Sequence, residues 1–245
     1  MCYAFKLVRN SITGKVSKVR LKDYEKLLRD NKIEWDPKYP DKDRYVFVTA
    51  TFNGLIYDKG NYLSTPMRFD MIPRWFNQDQ TLAEMLKLKS SKAMNHITKR
   101  PFGFPSYNAR LETIKEKPTF KKPWFESKRF VTLINGFRER PNLDHAPKEF
   151  KGKEYDVNLV EPKFAAGLYD IWNNGKESLT SASIITTDSK GNRKIENIYH
   201  ERCPIILDWD QVEEWLDIKT PLNRIYEMCK VVKEDWIDIQ EAVKD

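Results

Sequence analysis

The stretch Ser106-Tyr107-Asn108-Ala109-Arg110-Leu111-Glu112-Thr113 places the tightest constraint on the fold of this chain. An amide, a guanidinium and a carboxylate lie close together in it, directly after a Pro/Gly-rich turn from Pro101 to Pro105. In an extended strand side chains alternate between faces, so Asn108, Arg110 and Glu112 share one face and Ala109 and Leu111 the other. Burying the polar face without partners is costly. The segment is therefore either an exposed edge strand or a strand whose polar face has work to do.

The surrounding sequence is rich in strand signals. Met1 to Val8 alternates almost from the first residue, and Arg44 to Phe52 is dense in β-branched and aromatic residues. Asn53-Gly54 reads as the turn after it, and Met67 to Trp75 as a strand broken at Pro73. Phe130–Ile134, Lys163–Trp172 and Ser181–Thr187 follow as strands, with Asn174-Gly175 as a turn. Helices are expected at Leu21 to Lys32, from the Thr81-x-x-Glu84 capping box towards Ile97, after Asp208 (carrying Val212, Trp215 and Leu216), and from Leu222 towards the end. A polar loop separates the first helix from the next strand, from Asp36 to Asp43. No repeat, low-complexity segment or linker interrupts the chain, so residues 1–245 read as one domain.

Charge and cysteine usage narrow the partners. A net charge of +7 with 43 Lys and Arg favours an anionic partner, without separating DNA, RNA and a membrane surface. From Lys115 to Arg129 basic residues, Lys121 and Lys122 among them, alternate with Phe120, Trp124 and Phe125. That interleaving suits either a groove for phosphates and unstacked bases or a solvated loop. Three cysteines without metal-ligand spacing fit a reducing compartment; no metal or cofactor is expected. No segment is apolar enough to span a bilayer and the start lacks a signal-peptide core, so the chain reads as soluble and intracellular. If Met1 is removed, Cys2 carries an α-amine with pKa near ~8 beside a thiol near ~8.5. This 1,2-aminothiol can condense with an aldehyde and close a thiazolidine ring, or the cysteine can be of no consequence.

Taken together, the motifs resemble the SOS response-associated peptidase family, the abasic-site processing proteins. The resemblance runs in order along nearly the whole chain: Met1-Cys2, Phe69-Asp70-Met71-Ile72-Pro73-Arg74-Trp75, Asn108-Ala109-Arg110-Leu111-Glu112-Thr113, Gly136-Phe137-Arg138-Glu139, Ala166-Gly167-Leu168-Tyr169-Asp170-Ile171-Trp172, Ile184-Ile185-Thr186-Thr187 and His200-Glu201-Arg202-Cys203-Pro204. It implies an α+β fold, a mixed and largely antiparallel sheet closing into a barrel-like core with peripheral helices. It also implies a DNA-damage-response enzyme, a monomer in the cytoplasm (or nucleus), that crosslinks to abasic sites in single-stranded DNA through Cys2, with autoproteolytic and lyase-type activity. On that resemblance Cys2, Asn108, Glu139 and His200 are catalytic, Arg110 clamps a phosphate, and Glu112 braces the strand. Lys121, Lys122 and Trp124 are expected to bind DNA. The rivals are a thiol peptidase using Cys2 and a non-catalytic single-strand-binding protein using the Lys115–Arg129 stretch. Three positions depart from the family pattern: Tyr3-Ala4 replaces Gly-Arg, Phe69-Asp70 replaces Trp-Gly, and Arg140 replaces Trp. A basic contact near the N-terminus then has to come from Lys6 or another residue.

Overall fold

The computed structural model describes residues 4–7, 17–18, 45–90, 105–142 and 144–242. Cys2, the helix expected at 21–32, the loop at 36–43 and the turn at 101–104 lie outside the described residues.

Strands β1 (Ala4–Leu7), β2 (Ser17–Lys18) and β3 (Tyr45–Phe47) precede a long hairpin of β4 (Thr51–Asp58) and β5 (Asn61–Phe69). Its turn is Lys59-Gly60, with φ of 46° and 81°, the left-handed pair that matches the twist of a two-residue hairpin. Asn53-Gly54, expected to turn, lies inside β4 instead. Gly54 is there for packing: a Cβ would fall 2.8 Å from Met67 Sδ and 2.9 Å from the Phe130 ring. The first helix among the described residues, α1 (Leu82–Ser90), starts at the expected capping box, Glu84 accepting from Thr81 N–H at 3.0 Å.

The central motif forms a short strand, β6 (Asn108–Arg110), which passes straight into a 3₁₀ turn, Leu111–Thr113. Helix α2 (Pro118–Phe125) follows, opened by Pro118 in its first turn, where the missing N–H costs nothing. The interleaved basic stretch is thus largely helical. Phe120 and Trp124, one turn apart, are buried, while Lys121, Lys122 and Phe125 face out.

Three long strands carry the rest of the architecture: β7 (Arg129–Glu139), β8 (Tyr155–Asn173) and β9 (Ser178–Asp188), with the expected turn at Asn174-Gly175 between the last two. Then come α3 (Arg193–Glu196), β10 (Arg202–Pro204), β11 (Ile206–Leu207), α4 (Val212–Leu216), α5 (Leu222–Met228) and β12 (Ile237–Glu241). Asp208 caps the start of the α4 region through a complete capping box with Gln211. The helix from Leu222 stops at Met228, and the tail returns as β12, antiparallel to the first residues of β8. Its alternation, Ile237 buried and Asp238 exposed, is a strand signal that the expected C-terminal helix overrode.

These strands form one mixed sheet. The order β8–β9–β5–β4–β7 returns to β8, closing a ring of five strands. The ring is not a regular barrel, because β4 and β7 share a single registered pair, Leu55 with Val131. Pairing is antiparallel except where β5 and β6 run parallel to β9. Phe5, Phe52 and Phe69 meet edge to face, with centroids 5.0–6.3 Å apart, and lock β1 against the ring. Burying each such ring contributes about 1.5–3 kcal/mol.

Two details position the functional region. Ala4 of β1 pairs with Arg138, one residue short of the end of β7. The last residues of β9 are flanked by β6 and by β10, so Thr186 pairs with both Arg110 and Pro204.

β7 crosses β8 closely at Gly136, where an added Cβ would sit 2.4 Å from the Val157 carbonyl oxygen. Backbone cannot yield as a side chain can, so Gly136→Ala should cost on the order of 3 kcal/mol or more. Gly60→Ala, with φ of 81° and nothing within 4 Å, should cost only about 1 kcal/mol. Urea denaturation of both variants tests this, and equal losses would contradict the close approach at Gly136.

Candidate active site

Glu139 ends β7 and is fully buried. Strand alternation directs it to the same side as Phe137, while Arg138 and Arg140 turn to the other side. There Arg138 Nε donates to Asp156 at 2.7 Å and Arg140 Nε to Glu154 at 2.8 Å. The flanking arginines therefore pair with other carboxylates and do not neutralise Glu139.

His200 faces Glu139, with Nε2 at 3.1 Å from Oε2. The chain reaches His200 through Tyr199, which has φ of 55°, a strained backbone for a bulky residue. Hydrogen bonds hold that bend: Asn142 N–H donates to the Tyr199 carbonyl at 2.8 Å, and Ser189 Oγ to the His200 carbonyl at 2.9 Å. His200 Nδ1 lies 2.7 Å from the Arg140 carbonyl oxygen. A carbonyl can only accept, so Nδ1 carries a hydrogen, and in the neutral ring Nε2 is then a bare acceptor. A bare nitrogen beside an ionised carboxylate would be repulsive. The 3.1 Å contact therefore holds one proton between Glu139 and His200.

Electrostatics agree with that assignment. Burial pushes the Glu139 carboxyl up from 4.5 to about 7, and burial pushes the His200 imidazole down from 6.5 to about 3. Each group is driven towards its neutral form, giving a carboxylic acid that donates to an imidazole at mildly acidic pH.

Asn108 is half-buried at the start of β6 and Arg110 is exposed at its end. Both stand beside the end of β9, opposite the strand that follows His200. Arg202 joins the two sides: its guanidinium donates to the Thr186 carbonyl and to Glu112, each at 2.9 Å. Arg202 was not singled out from sequence, though its spacing from His200 in the motif could have marked it. Lys121 and Lys122 are exposed on α2, and Lys122 pairs with Glu126 at 3.7 Å. Trp124 is 0% exposed within the apolar core. A base cannot stack on a buried indole, so the expected role of Trp124 in binding DNA is wrong, and the exposed aromatic of that helix is Phe125. Lys6 is also committed, donating to Asn158 at 2.7 Å and to Asp156 at 3.3 Å. Cys2 lies outside the described residues. The other two cysteines, Cys203 and Cys229, are buried thiols raised to about 12 by burial. Among the described residues no cluster of His, Cys, Asp or Glu is arranged to hold a metal, and no helix is long and apolar enough to cross a membrane.

A profile described as SOS response associated peptidase (SRAP) matches residues 7–245. The chain belongs to that family. Among its SRAP relatives, the abasic site processing protein HMCES of Xenopus tropicalis is 32% identical over 177 residues, 65% of this chain and 47% of that protein. The abasic site processing protein YoqW of Bacillus subtilis is 33% identical over 168 residues, 67% of this chain and 62% of that protein. The match thus spans less than two thirds of either relative's length. Two crystal structures share the SRAP-type fold seen here. One, from Bordetella bronchiseptica, has a TM-score of 0.68 at 15% identity and covers 99% of this chain and 100% of its own. The other, from Bacteroides thetaiotaomicron, has a TM-score of 0.65 at 20% identity and covers 100% and 93%.

The opposed shifts of the pair give a pH signature. Between about 4.5 and 6.5 the unfolded chain ionises Glu139 and protonates His200, while the folded chain keeps both neutral. Equal numbers of protons are bound, so the two pH dependences of stability cancel in this window. Glu139 alone favours low pH and is lost as pH rises through about 7; His200 alone favours high pH and is lost as pH falls through about 3. Glu139→Gln leaves only the His200 contribution. Its stability relative to wild type should therefore rise with pH across that window, by up to about 1.4 kcal/mol per pH unit. Denaturation of both proteins at several pH values checks this, and parallel curves would refute the neutral pair.

Proposed function

We propose that this chain processes abasic sites in single-stranded DNA by linking itself to them covalently through Cys2, once Met1 has been removed. The observation that carries the reading is the buried Glu139–His200 pair, 3.1 Å apart, beside the pairing of Ala4 with Arg138. Ala4 pairs with Arg138, beside Glu139, and only Tyr3 separates Ala4 from Cys2. Two residues of extended chain reach roughly 7 Å, enough to bring an N-terminal Cys to the pair. The names of the Xenopus and Bacillus relatives support abasic sites as the substrate class.

The chemistry asks for the proton traffic such a pair supplies. The sugar ring opens to its aldehyde, the Cys2 amine adds to the carbonyl carbon, and the carbinolamine loses water to give an imine. The thiolate then attacks the imine carbon, forming the C–S bond while nitrogen takes up a proton, and a thiazolidine closes. Overall one water leaves and no oxidant is consumed. Glu139 delivers the proton to the departing hydroxyl, and the bare Nε2 of His200 takes up the proton that the Cys2 nitrogen gives up and passes it back to the carboxylate, a division of labour suited to groups whose pKa values are driven apart. Asn108 orients the sugar and the terminal Cys, and Arg110 binds a phosphate with its planar fork. Lys121 and Lys122 add charge along the DNA path. Because burial holds Cys203 and Cys229 as thiols, Cys2 is the nucleophile of choice. A second reading, a thiol peptidase acting through Cys2, is favoured only by the family's description.

Intact-mass measurement with an abasic oligonucleotide distinguishes the readings. Protein lacking Met1 should gain the mass of the oligonucleotide less one water. Cys2→Ser and Met1-retaining protein should give no stable adduct, and Glu139→Gln should slow its formation on the order of 10²-fold. A stable adduct on protein that retains Met1 would sink the mechanism; peptide cleavage in trans without an adduct would favour the peptidase.

A further inference from the structure

Between β5 and α1 the protein buries a charge pair that the chemistry above does not use. Asp70 directly follows β5 with φ of 121°, a backbone conformation L side chains rarely adopt, and it is 6% exposed. Its carboxylate accepts from Lys89 Nζ at 3.0 and 3.1 Å, from Ser106 N–H at 2.9 Å and from Ser106 Oγ at 3.1 Å. Lys89, on α1, is 3% exposed. Ser106 is held from other sides as well, its carbonyl accepting from Met71 N–H at 3.3 Å and from the Ser183 hydroxyl. One carboxylate thus ties the end of β5 and the end of α1 to the residue two places before Asn108.

Such a pair is a poor source of net stability, because desolvating both charges offsets most of their attraction. Glycine would satisfy the backbone at position 70 without burying any charge. What the carboxylate adds is direction. It fixes the amide of Ser106, whose hydroxyl lies between the carboxylate at 3.1 Å and the Met71 carbonyl at 2.5 Å, and β6 begins two residues later alongside β9, with Tyr107 carbonyl accepting from Ile184 N–H at 3.0 Å. We propose that Asp70 is a positioning residue for Asn108: acting through Ser106, it sets the placement at which the Asn108–Arg110 strand meets the active site, and Lys89 holds the carboxylate in place from the side of α1. This rests on the role of Asn108 given under Proposed function.

Two double variants separate positioning from charge pairing. Asp70→Asn/Lys89→Met removes both charges but keeps a side-chain oxygen for Ser106, and asparagine tolerates positive φ. Asp70→Gly/Lys89→Met also removes both charges and suits the backbone, but takes away the side-chain acceptor of the Ser106 amide and leaves Ser106 only its contacts with Met71 and Ser183. Single-turnover crosslinking to an abasic oligonucleotide at saturating concentration, non-covalent DNA affinity, and amide hydrogen exchange at residues 107–110 are compared with wild type. The Asn/Met variant should react within about threefold of wild type, and the Gly/Met variant on the order of tenfold slower or more with unchanged affinity. Exchange at residues 107–110 should be faster in the Gly/Met variant alone. Equal rates in the two variants, or loss of affinity in place of rate, would overturn the proposal. Were the wild type to form no adduct, the functional reading would fail by itself. The exchange comparison would then decide the clamp, with equal protection in both variants overturning it.

Discussion

A carboxyl group with no access to water must be neutral or face a group that shares its proton. Glu139 is such a group, and the imidazole of His200 faces it at 3.1 Å. The Arg140 carbonyl fixes the His200 tautomer, so the backbone immediately after Glu139 chooses which nitrogen faces it. The positive φ of Tyr199 and the hydrogen bonds from Asn142 and Ser189 hold the imidazole in place. If the pair is removed, the bend before β10 has no evident reason to be strained.

The sheet serves this pair from two directions. β7 carries Glu139 to its end and receives β1 as its neighbour, which sets Ala4 opposite Arg138. β9 collects β6 and β10 at its own end, which brings Asn108 and Arg110 within the neighbourhood of the His200 strand. The Arg202–Glu112 contact then ties the two sides together across Thr186. Residues far apart in sequence are therefore set by strand register, and register errors are expensive because each strand also buries a face.

Part of this was legible in the sequence. Alternation in the Asn108–Leu111 stretch holds in the burial of its residues, and the capping boxes at Thr81 and Asp208 begin helical segments as expected. The failures have physical causes. The alternation of charge and aromatic residues around Phe120 and Trp124 suits a stacking groove or a solvated loop, yet their spacing of four is that of one helix face, and α2 buries it. Asn53-Gly54 has turn composition, but its glycine makes room for Met67 and Phe130 within a strand. The Glu139–His200 pair was not legible from local pattern at all. The two residues are 61 positions apart, and periodicity says nothing of pairing at that distance; only the resemblance of the flanking motifs joined them. Asp70 shows the converse case. A departure from the family pattern that reads as drift proves to be a buried hub with four protein contacts' worth of geometry around it, linking Lys89 and Ser106.

The central claim is that one proton lies between Glu139 and His200, with the imidazole neutral and hydrogen on Nδ1. Nitrogen-15 NMR of the His200 ring measures this directly, and with 3 histidines in the chain the assignment is tractable. At about pH 5.5, where an unperturbed histidine is mostly charged, His200 should remain neutral with a protonated Nδ1 and a bare Nε2. An imidazolium at that pH, titrating near ~6.5 as in an exposed histidine, would contradict the account.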